Sequence, residues 1–120
     1  MITSYKELRV WQKAVNLVQE VYQVTQSFPK EEMYGLTSQM RRAAVSIPSN
    51  IAEGWGRNST KEYIRFLAIA RGSLMELETQ LIISEKLNYL HSQTLSTLSQ
   101  EIQKISRMLS GLIGSLERKN

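Results

Sequence analysis

The sequence predicts an all-α protein, a four-helix bundle, on three observations. Apolar residues recur at three- and four-residue spacing along most of the 120 residues, and no segment alternates with a period of two. Two prolines and six glycines are too few for the many turns of an all-β fold. The connections between helices are short, and helices joined in this way pack antiparallel to their neighbours. We therefore expect one domain over residues 1–120, an antiparallel up-down-up-down bundle.

The first helix is predicted over residues 5–28. It ends before Pro29, because the residue preceding a proline avoids helical backbone angles. Its apolar residues form two seams that together cover about half of the helix circumference, which is wide for a helix with one neighbour. The seams are Leu8, Trp11, Val15, Val18 and Tyr22, and Val10, Ala14, Leu17, Val21, Val24 and Phe28.

The second helix is predicted over residues 36–55, with a kink at Pro48. Pro48 lacks the N–H that would bond the carbonyl of Ala44, and its ring crowds that turn.

Next to this proline lie three polar residues, Ser49, Asn50 and Glu53, with two interpretations open. They either face solvent, or form a half-buried structural polar network. Such a network would pair with arginines or with hydroxyls such as that of Ser73, and would fix the register of the adjoining helices.

The third helix is predicted over residues 60–87 and the fourth over residues 92–118. Ser59 to Glu62 fits a capping box that opens the third helix, and Asn88 ends it. The first and third helices carry more apolar surface than one bundle hides, so we expect self-association. That expectation would be contradicted if a single copy buried all four of Trp11, Leu17, Phe66 and Ile69.

Composition disfavours enzymes and metal proteins. The chain has no cysteine, no aspartate and one histidine, His91, so thiolate, Ser-His-Asp and di-iron sites lack their residues. Residues 54–57, Gly-Trp-Gly-Arg, depart from known phosphate-loop patterns. We expect no catalytic residues, no metal and no cofactor. The chain begins without a signal-peptide core and has no apolar run of membrane-spanning length, so we expect a cytoplasmic protein without membrane contact.

Positive charge is concentrated in one third of the chain. Lysines and arginines total 15 against 11 acidic residues, a net charge of +4. Residues 36–71 hold six cations and two glutamates, whereas the rest of the chain holds nine of each. This concentration favours a polyanion or an acidic protein as the partner. The six cations are the predicted nucleic-acid-binding residues: Arg41, Arg42, Arg57, Lys61, Arg65 and Arg71.

Residues 40–81 resemble the signature of a known family, in the run MRRAAVSIPSNIAEGWGRNSTKEYIRFLAIARGSLMELETQL. The family is that of the bacterial four-helix bundle proteins associated with 23S ribosomal RNA intervening sequences. Its opening helix resembles YKELRVWQKAVNLV, which starts at Tyr5. The resemblance covers residues 5 to about 90, and the fourth helix matches only by pattern.

This resemblance implies an antiparallel bundle that assembles into a ring-like homopentamer. It also implies kinship with the accessory variability protein of diversity-generating retroelements, which binds a reverse transcriptase and nucleic acid. No catalytic residue carries over, and the activity of most members is unassigned. Relatives are basic at four of the six cations, Arg41, Arg57, Arg65 and Arg71; the same is not assumed for Arg42 and Lys61.

Two function classes remain open. The first is a non-enzymatic assembly that contacts RNA or DNA phosphates, with Trp55 as a stacking platform. The alternative is a protein–protein scaffold that docks a nucleic-acid-processing enzyme such as a reverse transcriptase, anchored by Trp55, Arg57 and Tyr34. The arginines could also pair with Glu62, Glu76 and Glu78 and contact no phosphate, which would weaken the case for nucleic-acid binding.

Overall fold

The computed structural model describes residues 1–119 and confirms an all-α protein. It contains four α-helices: α1 (Arg9–Thr25), α2 (Leu36–Trp55), α3 (Thr60–Lys86) and α4 (Ser92–Arg118). Two 3-10 turns, Tyr5–Glu7 and Lys30–Glu32, precede α1 and α2. The described chain contains no β-strand, and none of its helices is long and apolar enough to cross a membrane. The bounds of α2 and α4 coincide with those given from the sequence.

The first helix is shorter than the predicted range of 5–28. Residues Tyr5–Glu7 form a separate 3-10 turn, and Leu8 has an extended backbone that divides this turn from α1. At the other end α1 stops at Thr25, three residues before the Phe28–Pro29 bond. The apolar pattern continues through both ends, because the flanking residues still pack on the core without being helical.

The ends of α3 follow local capping signals. The Ser59 hydroxyl accepts a hydrogen bond from the backbone N–H of Glu62 at 3.2 Å, as expected of an N-cap. In a capping box the Glu62 side chain would accept a hydrogen bond from the backbone N–H of Ser59. Here the Glu62 carboxylate accepts hydrogen bonds from the Arg65 guanidinium instead. Asn88 adopts a left-handed backbone with φ of 64° just beyond the helix end. The helix therefore ends at Lys86, one residue earlier than predicted.

All four helices contribute apolar side chains to one core. Leu17 of α1, Ile47 of α2, Leu74 of α3 and Ile105 of α4 are fully or almost fully buried. Each helix contacts the next one along the chain, and α1 also contacts α4, which closes the bundle. The α2–α3 contact is the most extensive and the α1–α4 contact the least.

Helices α2 and α3 run antiparallel, because positions that ascend along α2 contact positions that descend along α3. The contacting pairs are Met40 with Ser84, Ser46 with Ser73, and Gly54 with Phe66. Pro48 lies inside α2 and is buried. The up-down-up-down direction of all four helices and the kink at Pro48 stay predictions.

Apolar surface remains exposed, and α3 carries more exposed apolar side chains than any other helix. Of the four residues that would all be buried in a self-contained subunit, Leu17 is buried, Trp11 and Phe66 are half-buried, and Ile69 is exposed. On α3, four apolar side chains are 40–45% exposed, namely Ile69, Met75, Ile82 and Ile83, and Leu87 just beyond the helix end is 49% exposed. The predicted surplus is therefore larger on the third helix than on the first, where the exposed members are Val15 and Tyr22.

Candidate nucleic-acid interface

The six predicted nucleic-acid-binding cations do not form one patch. They are Arg41 and Arg42 in the first half of α2, Arg57, Lys61 and Arg65 around the α2–α3 turn, and Arg71 in the middle of α3. With a rise of 1.5 Å per residue, about 20 Å along the helix axis separates Arg42 from Arg57. Each group therefore has its own neighbours and its own electrostatic surroundings.

At the α2–α3 turn, two arginines lie over the same aromatic ring. The guanidinium of Arg57 lies 4.9 Å from the ring centroid of Phe66, and that of Arg65 lies 4.7 Å from it. Each arginine also binds a carboxylate, Arg57 that of Glu53 at 2.8 Å and Arg65 that of Glu62 at 3.2 Å. We call these five residues the turn cluster. Both of its guanidinium groups are held by partners within the protein.

The carboxylate of Glu62 responds to these positive neighbours. Its hydrogen bond from Arg65 is the largest cause that lowers the pKa of Glu62 below the ordinary value, and the charges of Arg57 and Lys61 act in the same direction. Glu62 is therefore ionised at neutral pH and cancels part of the positive charge around the turn. Glu62, one of the glutamates that the sequence analysis considered as arginine partners, pairs with Arg65. Glu53, from the predicted polar network, pairs with Arg57.

The turn cluster depends on a close approach of α2 and α3 at Gly54. A Cβ atom on Gly54 would lie 2.8 Å from Cβ of Phe66 and 3.0 Å from Cδ1 of Tyr63, closer than side chains tolerate. Trp55 is half-buried and packs edge-on to Tyr63, with 6.2 Å between ring centroids. Much of the Trp55 surface is therefore covered by packing, and less of it is available for the predicted stacking of bases.

Tyr63 carries an unusual buried polar group. Burial raises the pKa of its hydroxyl, and that hydroxyl has no hydrogen-bond partner within residues 1–119. Neither Gly54 nor Phe66 was singled out from the sequence as a site residue. The sequence did carry one signal for this turn, a glycine at position 54 between Glu53 and Arg57, which are spaced to form an ion pair.

The arginines in the first half of α2 have different surroundings. The Nε of Arg41 donates a hydrogen bond to the Thr25 hydroxyl at 2.9 Å, and its guanidinium lies 4.5 Å from the ring centroid of Tyr22. Arg42 is exposed beside it. Together they border a groove of about 280 Å³, which we call the tyrosine–arginine groove. Its lining residues are Tyr22, Met33, Tyr34, Thr37, Ser38, Arg41 and Arg42.

The remaining two cations, Arg71 and Lys61, belong neither to the turn cluster nor to the pair of arginines in the first half of α2. Arg71 donates a hydrogen bond to the Ser110 hydroxyl of α4 at 3.1 Å, so it faces away from the α1–α2 side. Lys61 is exposed in the first turn of α3. Within residues 1–119, no ion pair joins Arg42, Lys61 or Arg71 to a glutamate. Arg42 and Lys61, which are both exposed, therefore offer their charge to an external anion.

The structure divides Ser49, Asn50 and Glu53, for which two interpretations were open, between the face toward α3 and the solvent face. Asn50 is half-buried and donates its amide to the Ser46 carbonyl at 2.7 Å, and the Ser46 hydroxyl bonds that of Ser73 on α3. Ser49 and Glu53 are exposed, and Glu53 belongs to the turn cluster. The reason is helical spacing: Ser46 and Asn50 share the face toward α3, whereas Ser49 and Glu53 share the solvent face.

None of the described residues forms a cluster of three or more side chains that could hold a metal ion.

Comparisons with known proteins bear on the chain as a whole. A family model described as 23S rRNA-intervening sequence protein matches residues 6–111. A crystal structure of a protein of unknown function from the S23 ribosomal protein family of Bacteroides thetaiotaomicron VPI-5482 is similar, with a TM-score of 0.78 and 20% identity. The similarity covers 87% of this chain and 97% of that one, and at this identity it shows the fold alone. The comparison with curated proteins gave no match.

Proposed function

Because this chain belongs to the 23S rRNA-intervening sequence protein family, we propose that it is a non-enzymatic protein that binds RNA or DNA through phosphates. The observation that carries the proposal is the placement of the positive charge. Residues 36–71 hold six cations against two glutamates, and they form α2, the turn and the first half of α3. Phosphate contacts require positive charge at the surface and carry little sequence information, so no base-reading motif is needed.

The six cations contribute unequally in this proposal. Arg42 and Lys61 are exposed and have no carboxylate partner in the described chain, so they are the strongest phosphate ligands. Arg57 and Arg65 contribute less, because a phosphate has to compete with Glu53 and Glu62. Arg41 and Arg71 are partly buried against neighbouring helices and contribute through the field that they add.

The proposal includes self-association, as the homopentamer of the family resemblance, through the outer face of α3. That helix exposes four large apolar side chains, and an exposed apolar face is typical of an interface. A ring of copies repeats the +4 charge and extends a modest local patch. The up-down-up-down direction, the bend at Pro48 and a cytoplasmic location belong to the same proposal, on the sequence arguments given above.

Light scattering at micromolar concentration tests the assembly. We expect a mass of several subunits for the unaltered chain and a smaller mass for Ile83→Glu, which places a charge on the exposed face of α3. A monomer for the unaltered chain would contradict self-association. The matched control is Ser96→Glu on the exposed surface of α4, which should leave the mass unchanged.

A salt series tests nucleic-acid binding. Affinity for fluorescent RNA and DNA is measured between about 50 and 200 mM salt, and log affinity should fall linearly with log salt concentration. Arg42→Gln and Lys61→Gln should each flatten the slope by about one. A flat plot, or no binding at about 50 mM salt, would contradict the proposal.

A protein–protein scaffold is the second candidate, and the turn cluster favours it. Two of the six cations already pair with glutamates, which lowers their attraction for phosphate. Tyr34 is exposed next to Arg42, and tyrosine with arginine is a typical pairing at binding hot spots. Pull-down from native cells with and without nuclease separates the candidates. A partner such as a reverse transcriptase that is retained after nuclease supports the scaffold, and one that is lost supports nucleic-acid binding.

A further inference from the structure

The tyrosine–arginine groove presents aromatic rings to solvent, unlike the rest of the basic surface. Tyr34 is 97% exposed and Tyr22 is 40% exposed, and both line the same groove with Arg41 and Arg42. An adjoining groove of about 390 Å³ runs from Tyr22 past Arg42 to Val45, whose side chain is also exposed. Arg42 therefore stands between two grooves that both contain apolar surface.

One of the two rings is fixed in place. The Arg41 guanidinium lies over Tyr22, and Arg41 is itself held by its hydrogen bond to the Thr25 hydroxyl. Thr25 in turn donates its hydroxyl proton to the Val21 carbonyl at 2.8 Å, so this chain of contacts rests on the buried side of α1. The groove thus has a rigid wall, formed by Tyr22 and Arg41, and a free wall, formed by Tyr34.

Charge favours an anionic ligand at this position. Arg42 is exposed without a carboxylate partner in the described residues, and no acidic side chain lines either groove. Glu76 of α3 lines a third groove, of about 520 Å³, that also includes Tyr34 and Arg42, so these two residues border one groove with a carboxylate and one without. An anion can therefore approach Arg42 from the side where the two tyrosines lie.

Exposed rings beside a free cation match the chemistry of a single nucleic-acid strand. Bases stack on aromatic side chains when their faces are free, and cations beside the rings bind the phosphates. In a duplex the bases stack on each other, so a duplex offers the phosphates alone. We propose that the tyrosine–arginine groove binds single-stranded RNA or DNA, with bases on Tyr22 and Tyr34 and a phosphate on Arg42. This inference rests on the proposed nucleic-acid binding and narrows its ligand.

An acidic peptide is the competing ligand. It would satisfy the charge of Arg42 and Arg41, but it gives no role to two exposed rings on the same groove. Single-stranded nucleic acid accounts for both the rings and the cations, and we therefore favour it. The peptide is an outcome that the experiment can detect.

The test compares one strand with its duplex on the full chain. A labelled oligoadenosine of about 12 nucleotides, within the usual site size for single strands, and the matched duplex are titrated at the same salt concentration. We expect the single strand to bind more tightly. Tyr34→Ala should weaken single-strand binding by about fivefold or more, because stacking contributes that much per base, and should leave duplex binding unchanged. Tyr34→Phe keeps the ring and should bind as the unaltered chain does.

Substitution of Tyr34 should not change folding, because a side chain that is almost fully exposed does not pack in the core. Equal melting temperatures of the unaltered chain, Tyr34→Ala and Tyr34→Phe would verify that point. Equal affinity for strand and duplex, with Tyr34→Ala silent and Arg42→Gln weakening both, would overturn the inference and leave the proposed function standing. Absence of binding by either nucleic acid at about 50 mM salt would overturn both. Tyr34-dependent binding of a glutamate-rich peptide, with no single-strand preference, would also overturn the inference.

Discussion

The turn cluster and the tyrosine–arginine groove contain the same kinds of residue but use them differently. In the turn cluster, Arg57 and Arg65 lie over Phe66 and bind glutamates. In the groove, Arg42 has no carboxylate partner in the described chain and Tyr34 is exposed. The difference shows that the number of arginines on a helix does not locate a phosphate site. The internal partners of each arginine decide how much of its charge is offered to a ligand.

Helical spacing explains the difference. Glu53 lies four residues before Arg57, and Glu62 lies three residues before Arg65, so each pair meets on one helix face or at its end. Arg41 and Arg42 have only neutral residues three and four positions away in either direction. Neither can form a local ion pair, and one of them, Arg41, reaches across to α1.

The largest effect is expected from Gly54→Ala, which should disrupt the turn cluster. The new Cβ would meet Cβ of Phe66, which cannot rotate away, and overpacking of this kind costs about 1–3 kcal/mol in the free energy of unfolding. Urea denaturation at fixed protein concentration measures it, since self-association makes stability depend on concentration.

Gly72→Ala is the matched control, because nothing lies within 4 Å of the added Cβ on the exposed side of α3. It should raise the free energy of unfolding by about 0.5–1 kcal/mol, since alanine restricts the unfolded chain and favours helix. Equal effects of the two variants would show that the close approach at Gly54 is not what limits that position.

The next largest effect concerns the bond between Ser46 and Ser73, which joins α2 and α3 between the two regions. Ser73→Ala should lower the free energy of unfolding by about 1 kcal/mol, because the Ser46 hydroxyl loses its partner on α3. Ser49→Ala, also in α2 but exposed, should change stability little. A cost at Ser49 that equals the cost at Ser73 would show that the bond between Ser46 and Ser73 is not what stabilises this face of α2.

Freeing the arginines of the turn cluster should make it behave more like the groove. The double substitution Glu53→Gln with Glu62→Gln should raise RNA affinity by about twofold to fivefold, the range expected for exposed ion pairs. Glu85→Gln with Glu117→Gln is the control with the same change in net charge, because neither glutamate is in an ion pair among the described residues. If both doubles raise affinity equally, total charge rather than local pairing is responsible.

The smallest effect is expected from Glu20→Gln, on the side of α1 that borders α4. Partial burial, and then the charge of Glu101, raise the pKa of Glu20 above its ordinary value. The folded state therefore binds the proton more tightly, and stability from this group falls as pH rises through the raised pKa. At pH 7 the substitution should stabilise by roughly 0.2–0.5 kcal/mol, a value limited by solvent screening. The gain should vanish in acid, where the carboxyl of folded Glu20 is already neutral; a gain that persists there would contradict this cause.

The sequence predicted the fold class because apolar periodicity is local information. The bounds of α2, the Ser59 N-cap and the turn at Asn88 all follow from residues within a few positions. The early end of α1 at Thr25 was missed because its apolar pattern continues into residues that pack on the core outside the helix. The family resemblance is confirmed by the family model.

The candidate site was predictable only in part. The six cations were singled out by their concentration in residues 36–71, but their division into separate groups depends on contacts between helices, such as Arg41 with Tyr22. Phe66 and Gly54 were missed because their roles come from the approach of α2 to α3. The pairs Glu53–Arg57 and Glu62–Arg65 have a spacing that predicts an ion pair, and that signal was present in the sequence.

One measurement tests most directly whether internal partners decide which arginines bind phosphate. Arg42→Gln and Arg57→Gln remove the same charge from the tyrosine–arginine groove and from the turn cluster, and the salt dependence of RNA affinity is recorded for each. We expect Arg42→Gln to reduce the slope of log affinity against log salt by about one, and Arg57→Gln to reduce it by clearly less. Equal reductions, or a larger reduction for Arg57→Gln, would contradict the account.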